Sequence, residues 1–322
     1  MRQFKVHVQS ISYGWCGIDL YINDKLIRYN ASYLGPNPLN SLIDACTEFY
    51  YAKAKGYSED YSFTCQEESG SIHFDLQMNK KHSIHFDVIE YDDNEDIKDK
   101  KVLHEWHENI PFEAFRKAVV FEGFRVLNAF GLYGFRYSWM DNTDLHWTQL
   151  LLLTGQLQLN WNGDSCRTSL VKEIECLSQH IERPKITKAV HYDRCTLYYE
   201  AWQFQCCGDP FKVGEKVDWT CTLPSEYKNA HGIIIDFLED HHGFAKYSIT
   251  GTVSKIIFER SELPKNDKIV EYEKTPVIQD ETDEANELES KQDSDDSTQR
   301  IFWGYIVTLE DVVVEPIKEG KK

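Results

Sequence analysis

The sequence predicts an α+β protein in which an antiparallel sheet carries helices on one face and is followed by a small OB/SH3-like β-barrel. In the first half, runs that alternate apolar and polar residues are interspersed with long helical patterns. In the second half, several short strand patterns follow one another with few helical signals between them. The 322 residues suffice for two domains, which we place at residues 1–184 and 185–322.

The N-terminal strands are indicated by alternation and by a turn. Residues 4–8 alternate as a half-buried strand does. Residues 23–25, Asn-Asp-Lys, separate two further strand patterns, and Asn and Asp tolerate the positive φ angle that a hairpin turn needs. A helix is expected to begin at residues 36–38, Pro-Asn-Pro, and to end at Gly56. Its apolar face comprises Leu39, Leu42, Ile43, Cys46 and Phe49.

Strand patterns come next, at residues 61–66, 72–78 and 84–90, with a further short strand expected near 102–106. The pattern at 72–78 alternates strictly, which is typical of a strand with one covered face and one solvated face. Its apolar positions are Ile72, Phe74, Leu76 and Met78, and its polar positions are His73, Asp75 and Gln77.

Helices complete the first half. A long helix is predicted from Pro111 to about Phe130, with Gly131 at the position where a C-cap is expected. Two more are predicted at residues 145–153 and 169–181. In the last of these, apolar residues recur at helical spacing as Leu170, Ile174, Leu177 and Ile181. We expect all these helices to pack on one face of the sheet.

The second half is expected to be a barrel with an insertion. Its strand patterns lie at residues 197–205, 216–222, 233–238, 247–258 and 301–314. Gly251 falls inside one of them, where a bulge lets the sheet bend. The segment from about 262 to 299 is rich in acidic and small polar residues and nearly free of aromatic ones. It therefore predicts a disordered insertion, because such a segment buries too little apolar surface to offset its ordering entropy.

The overall charge excludes some functions. The chain carries 53 acidic and 35 basic residues, a formal net charge of −18, which argues against a nucleic acid as partner because such binding depends on cationic contacts to phosphate. No stretch approaches the ~20 apolar residues of a membrane-spanning helix, and the first residues lack the apolar centre of a secretory signal. The nine cysteines show no regular spacing. We expect a cytoplasmic protein with reduced thiols and no membrane contact.

The most specific motif lies between Trp202 and Trp219. It contains Trp202-Gln203, Cys206-Cys207-Gly208, Pro210-Phe211, Gly214 and Trp219. On these residues the second half resembles a small family of uncharacterised bacterial proteins, and the resemblance implies no activity. The acidic insertion is longer than the loop that is usual in that family. The first half resembles, by pattern alone, small immunity-type α+β proteins found beside bacterial toxin genes.

Cys206 and Cys207, together with His241 and His242, form the sharpest chemical hypothesis. Thiolate and imidazole are good zinc ligands, and four of them complete a tetrahedral site. Alternatively, the cysteines are a redox-active pair, or small apolar thiols buried beside a tight turn. The sequence favours buried thiols, because adjacent cysteines on an extended chain point apart and structural zinc sites usually space their cysteines by about two to four residues. Further candidate ligands are Cys195, Cys221 and His231.

Other polar groups have weaker claims to a chemical role. Histidines expected on or near the solvated face of the first sheet are His73, His82, His85, His104 and His107. They could bind a metal or respond to pH, and His73 and His85 are expected to be neighbours on paired strands. Asp141, Asp144 and His146 could form a small polar site, but Asp144 is better interpreted as a residue of a helix N-cap region.

These observations lead to a function by exclusion. No nucleotide-binding loop, nucleophile elbow or spaced metal motif is recognisable. We expect a non-enzymatic cytosolic protein that binds another protein, of the immunity-like or conflict-system accessory kind found in bacteria. One alternative is a metal- or thiol-dependent enzyme centred on Cys206 and Cys207, and zinc is the only cofactor we consider.

A nucleic-acid binder or mimic is the other alternative. The aromatic residues of the second half could form a stacking platform for single strands, but few cationic residues lie near them, so core packing is the better interpretation. These residues are Tyr198, Trp202, Phe204, Phe211 and Trp219.

Overall fold

In the computed structural model, the chain forms two compact units. The first contains residues 1–183 together with 232–234, and the second contains residues 184–231 together with 235–322. The described residues are 4–68, 70–92, 101–140, 143–157, 159–162, 165–181, 185–224, 228–242, 245–264, 277–285 and 298–317. No helix in this described part combines the length and apolar character that a membrane crossing requires.

The first unit mixes strands and helices. Its strands are β1 (Phe4–Ser12), β2 (Trp15–Ile22), β3 (Lys25–Ser32), β4 (Glu59–Glu67), β5 (Gly70–Met78), β6 (Ser83–Asp92), β7 (Lys101–Pro111), β8 (Asn160–Asn162) and β9 (Ser165–Arg167), joined later by β14 (Ile233–Ile235). Its helices are α1 (Pro38–Lys55), α2 (Phe112–Trp139), α3 (Trp147–Leu153) and α4 (Leu170–Ile181).

The strands of the first unit form several sheets, where the sequence predicted a single one. β4 to β7 pair in chain order as a four-stranded antiparallel sheet. In a separate sheet β14, β1, β2 and β3 follow one another, with antiparallel pairing from β1 to β3. The division falls at α1, whose 18 residues separate β3 from β4 in the chain.

The predicted helix after the first hairpin is confirmed. The Asn37 side chain accepts hydrogen bonds from the backbone N–H groups of Leu39 and Asn40, at 3.0 and 3.2 Å. At the other end, Gly56 adopts a left-handed φ of 76°, which suits the residue without a Cβ. The five apolar residues predicted for its buried face are fully buried: Leu39, Leu42, Ile43, Cys46 and Phe49.

The long helix α2 differs from its prediction at one residue. Gly131 was expected to end it, and with a φ of 68° it does interrupt the helix, but helical structure resumes and continues to Trp139. Apolar residues of α2 and the strands meet in the core, where the rings of Phe4 and Phe86 lie 5.1 and 5.5 Å from that of Phe115.

The apolar residues of helix α4 were expected to be buried, but most of them are exposed. Leu170, Ile174 and Ile181 are each more than half exposed, and Cys176 is the buried residue of the helix. Periodicity establishes that a helix has an apolar face, but it does not say that another element covers that face.

A buried ion pair joins α2 to an irregularity in β1 that the sequence analysis missed. The pairing of β1 with β2 shifts register between Val8 and Ser10. Glu122 accepts the Val8 N–H at 2.6 Å, and Arg125 donates to the Val8 carbonyl at 2.6 Å. Glu122 and Arg125 also pair with each other at 2.9 Å, and both are buried. The two side chains thus satisfy backbone groups at the bulge.

The second unit is rich in strands. Its elements are β10 (Val190–Glu200), α5 (Ala201–Cys207), β11 (Phe211–Lys212), β12 (Lys216–Thr222), β13 (Lys228–Ala230), β15 (Phe237–Glu239), β16 (Tyr247–Pro264), β17 (Val277–Thr282), β18 (Glu284–Ala285) and β19 (Thr298–Pro316). The main sheet has the order β12-β15-β10-β19-β16-β17, and β12 pairs with β16 as well. The predicted bulge at Gly251 is confirmed, because the register of β16 against β19 shifts between Thr250 and Thr252.

Part of the acidic segment is ordered, which contradicts its predicted disorder. β17 pairs with β16 from Ile256–Thr282 to Ser261–Val277, and β18 pairs with β11. The apolar side chain of Ala285 is fully buried, so this part of the segment has core contacts that composition alone does not reveal. Residues 265–276 and 286–297 lie outside the described residues.

The buried ion pair provides a test of the first unit. We expect Glu122→Ala to lower the free energy of unfolding by about 3–5 kcal/mol, because it leaves Arg125 charged and buried without its partner. The measurement is urea unfolding followed by circular dichroism. As a control, Glu175→Ala removes an exposed pair with Lys172 and should cost less than about 1 kcal/mol. Equal and small losses in the two variants would contradict this account.

Candidate functional site

Helix α5 carries the paired cysteines. Cys206 and Cys207 are its last two residues, and both are exposed. Both observations contradict the predictions from sequence, which were a strand that extends to Gln205 and buried thiols. β10 ends at Glu200, and α5 turns Gln203 and Phe204 toward the interior. The cysteines follow at the end of the helix, beyond its buried residues.

Gly208 follows the last residue of the helix, at a position where no larger residue fits. Its N–H donates to the carbonyl of Phe204 at 3.0 Å. A Cβ at this position would lie 2.7 Å from the Cα of Phe204 and 2.7 Å from the hydroxyl oxygen of Tyr199. Both distances are shorter than van der Waals contact, so the glycine after the two cysteines has a steric cause.

Three of the four predicted ligands form a compact group. The ligand atoms of Cys206, Cys207 and His242 all lie within 4.8 Å of one another, and all three residues are exposed. The Cys207 Sγ lies 3.6 Å from the His242 Nε2. With Zn–S of about 2.3 Å and Zn–N of about 2.0–2.1 Å, tetrahedral geometry separates such a pair by about 3.5–3.6 Å. The spacing is therefore that of two ligands on one zinc ion.

His241, the fourth predicted ligand, lies between Cys207 and a buried carboxylate. Its Nε2 is 2.8 Å from the Cys207 Sγ, and its Nδ1 is 2.8 Å from the Oε1 of Glu239. Glu239 is only 2% exposed, and its Oε2 has no hydrogen-bond partner among the described residues. Burial raises the pKa of this carboxyl, and the hydrogen bond with His241 partly offsets that rise. The sequence analysis missed Glu239.

Gln203 connects the helix to the segment with the histidines. Its Nε2 donates to the carbonyl of Glu239 at 2.7 Å, and its Oε1 accepts the N–H of His241 at 3.4 Å. The side chain is buried. Since an unpaired buried amide is costly, these contacts hold the end of α5 against residues 239–241.

Trp202 covers one side of the group. Its ring stacks on that of His242 with centroids 4.9 Å apart and an interplanar angle of 21°. The indole N–H donates to Glu200 at 2.6 Å, which fixes the ring. Trp202 nevertheless remains 55% exposed.

The groups around Cys207 disfavour its negatively charged thiolate form. Partial desolvation raises the pKa of the Cys207 thiol, and the neighbouring Cys206 and the carboxylate of Glu239 raise it further. Burial and the charges of Glu239, Cys207 and Asp209 likewise raise the pKa of Tyr199. A bound cation would oppose these effects on the thiol, because metal binding requires and stabilises the thiolate.

The other candidate ligands of the second unit are engaged elsewhere. Cys195 and Cys221 are buried in its hydrophobic core. His231 Nδ1 lies 3.1 Å from the Oε1 of Glu259, which is itself buried. None of the three belongs to the group formed by Cys206, Cys207 and His242.

The histidines of the four-stranded sheet do not form one cluster, although two of them share a carboxylate. His107 and His85 contact the same carboxylate of Asp87, at 2.6 and 3.2 Å. His73 and His85 are not neighbours, because β5 and β6 pair His73 with Ile89 and Gln77 with His85. His104 lies 2.8 Å from Glu90, and His82 lies in the turn between β5 and β6.

Asp144 lies in the N-cap region of α3, as predicted, just before the N-cap residue His146. Asp144 makes two hydrogen bonds with Arg136, at 2.8 and 2.6 Å, whereas His146 occupies the N-cap position. The Nδ1 of His146 lies 2.7 Å from Asp44. Asp141 lies outside the described residues.

The aromatic residues of the motif divide between core and surface. Phe204 and Phe211 are buried, as core packing predicted, and their rings lie 5.0 and 5.9 Å from that of Tyr305. Trp219 and Tyr198 are half-buried. Trp202 departs from the expected core packing, and its contact with His242 places it beside the cysteines instead.

Comparison with protein-family models matches residues 193–311 to a family of unknown function, DUF6578. The second half of the chain thus contains a region similar to an uncharacterised family, which agrees with the expectation from sequence. No curated protein and no solved structure matches the chain.

The connection made by Gln203 can be tested without any metal. In the presence of a chelator, Gln203→Ala should lower the free energy of unfolding of the second unit by about 1–3 kcal/mol, because it leaves the Glu239 carbonyl and the His241 N–H without this partner. Thermal unfolding followed by tryptophan fluorescence measures the loss. The exposed Gln205 on the same helix supplies the matched control, Gln205→Ala, for which we expect a much smaller change. Similar losses in both variants would argue against the assigned role of Gln203.

Proposed function

We propose that the second unit binds a zinc ion through Cys206, Cys207 and His242, with His241 beside them. The observation that carries this proposal is the 3.6 Å separation of the Cys207 Sγ and the His242 Nε2 within a group of three ligand atoms. Thiolate sulfur and imidazole nitrogen together favour zinc over calcium or magnesium, which prefer oxygen ligands.

The environment of the group supports a metal role over a nucleophilic one. Cys207, His241 and Glu239 lie in a row with two contacts of 2.8 Å, as a nucleophile, a base and an orienting acid do. However, partial desolvation, the neighbouring Cys206 and the charge of Glu239 raise the pKa of the Cys207 thiol, whereas a nucleophilic cysteine needs a lowered one.

Metal analysis tests the proposal. Protein purified with added zinc should contain about one equivalent by elemental analysis, and Co²⁺ should give the intense sulfur-to-metal absorption of a thiolate site. Cys206→Ser and His242→Ala should each weaken metal binding by at least tenfold, because each removes a ligand. His191→Ala, which removes an exposed histidine of β10, should bind metal as the unchanged protein does. Absence of bound metal, with both thiols still reduced, would contradict the proposal.

A second proposed function is binding to another protein, as an immunity-like or conflict-system accessory. The exposed apolar residues of α4 support it, since an exposed apolar patch on a helix is typical of protein-binding surfaces. These residues are Leu170, Val171, Ile174 and Ile181. The burial of Phe204 and Phe211 speaks against the alternative of a stacking platform for nucleic acid.

The surface of α4 yields a separate test. Leu170→Ser with Ile174→Ser should leave the thermal midpoint nearly unchanged, because both side chains are already more than half exposed. The same variant should reduce fluorescence of a dye that binds apolar surfaces. As a control, Leu150→Ser on α3 alters a fully buried residue and should lower the thermal midpoint strongly. A comparable loss of stability in the α4 variant would show that its apolar face is covered.

We further propose that the second unit is a small barrel of the OB or SH3-like kind and that the protein is cytoplasmic. The barrel is supported by strand pairings that lead from β12 through β15, β10, β19 and β16 and return to β12.

A further inference from the structure

The position of His241 is that of a residue that supports a ligand rather than one that binds the metal itself. Its Nε2 lies 2.8 Å from the Cys207 Sγ, and two ligands at that distance would need an angle of about 80° at zinc, far from tetrahedral. His241 is also outside the group whose ligand atoms lie within 4.8 Å of one another. His241 therefore contacts the Cys207 sulfur directly, without the separation that two ligands of one zinc ion need.

His241 is held in this position from two sides. Glu239 contacts its Nδ1 at 2.8 Å, and Gln203 accepts its backbone N–H. Glu239 and Gln203 are both buried. These two contacts hold the imidazole at its short distance from the Cys207 sulfur, at which the two groups do not fit one tetrahedral ion, so the arrangement favours His241 as a residue that does not bind the metal.

Three protein ligands leave one position of a tetrahedral zinc ion for another donor. Closed structural sites have four protein ligands, and sites that react or accept ligands have three. Cys206, Cys207 and His242 are all exposed, so a donor from solution can reach the ion. The exposed indole of Trp202, which stacks on His242, gives an entering aromatic ring an apolar surface to pack against.

The local charge selects the kind of donor. Two thiolates already neutralise the charge of Zn²⁺, and the carboxylates of Glu239 and Asp240 lie in the two residues before His241. Asp240 accepts the backbone N–H of His242 at 3.0 Å. An anionic ligand would meet this negative charge, whereas a neutral nitrogen donor or water would not.

We propose that the site is an open metal centre whose fourth position binds a neutral aromatic nitrogen donor of the imidazole class in exchange for water. This inference rests on the proposed zinc site. It assigns His241 and Glu239 to positioning Cys207, and Trp202 to contact with the entering ligand. A histidine side chain of a partner protein and a small heteroaromatic compound share this donor chemistry.

Cobalt-substituted protein provides the test, with imidazole as the probe at a pH above the pKa of free imidazole. Imidazole should change the visible Co²⁺ absorption in a saturable manner, and azide, an anion, should bind at least about tenfold more weakly. Trp202→Ala should keep its cobalt but weaken imidazole binding roughly three- to tenfold. His241→Ala should retain one equivalent of cobalt and the response to imidazole, whereas His242→Ala should lose the metal.

Two results would overturn the open centre while leaving the zinc site in place. One is a thiolate cobalt spectrum that imidazole does not alter, and the other is a His241→Ala variant that loses the metal as readily as His242→Ala. Both would indicate a closed site with four protein ligands. Failure of the unchanged protein to bind cobalt would instead refute the zinc site itself. Comparing a histidine-containing peptide with its alanine-substituted control then separates a protein partner from a small heteroaromatic compound.

Discussion

Gln203 joins the two chain segments on which the cysteine–histidine group depends. The cysteines lie on α5, the histidines follow β15, and the donor and acceptor of the Gln203–Glu239 hydrogen bond are 36 residues apart in the chain. Because the amide is buried, loss of its hydrogen bonds to the Glu239 carbonyl and the His241 N–H would destabilise the fold. These hydrogen bonds place the histidines next to the sulfurs when the protein folds. Metal binding would therefore not carry the entropic cost of ordering its ligands.

The first unit uses buried polar side chains for a related purpose. In β1, Glu122 and Arg125 take over backbone hydrogen bonds at the bulge after Val8. In the second unit, Gln203 bonds to a backbone carbonyl at the last residue of β15 and to a backbone N–H just beyond it. In both places the regular ladder is interrupted and a side chain from a helix supplies the missing partners. The difference lies in the neighbours: the first site contains a compensated ion pair, whereas Glu239 keeps one oxygen without a partner among the described residues.

The sequence predicted much of the local structure and the residues of the candidate site. It did not predict that the cysteines lie on a helix or that His241 has a different position from the other three residues. Alternation and caps located α1, the hairpin at Asn23 and the strands of β4–β6, because these signals come from neighbouring residues. The run through Trp202 and Phe204 was assigned to a strand because aromatic residues favour strands, and it folds as α5 since burial of Phe204 and Gln203 on one side outweighs that preference. The two cysteines and two histidines were predicted as ligands because thiolate and imidazole are the groups that zinc prefers. The different place of His241 depends on Glu239 and Gln203, which no local pattern connects to it.

The short strand β14 limits how the chain can be divided. Residues 232–234 belong to the first unit although they lie within the sequence of the second. There Ser10 pairs with Ile233, and the Ile11 N–H donates to the Gly232 carbonyl at 2.8 Å. A fragment that stops at residue 183 lacks this strand, so the backbone of β1 loses its contacts with residues 232–233 at Ser10 and Ile11, and an open strand edge is the kind along which chains aggregate. To produce the first unit by itself, residues 232–234 would therefore have to be joined to residues 1–183. Truncation of the chain at one position does not give a fragment that contains both.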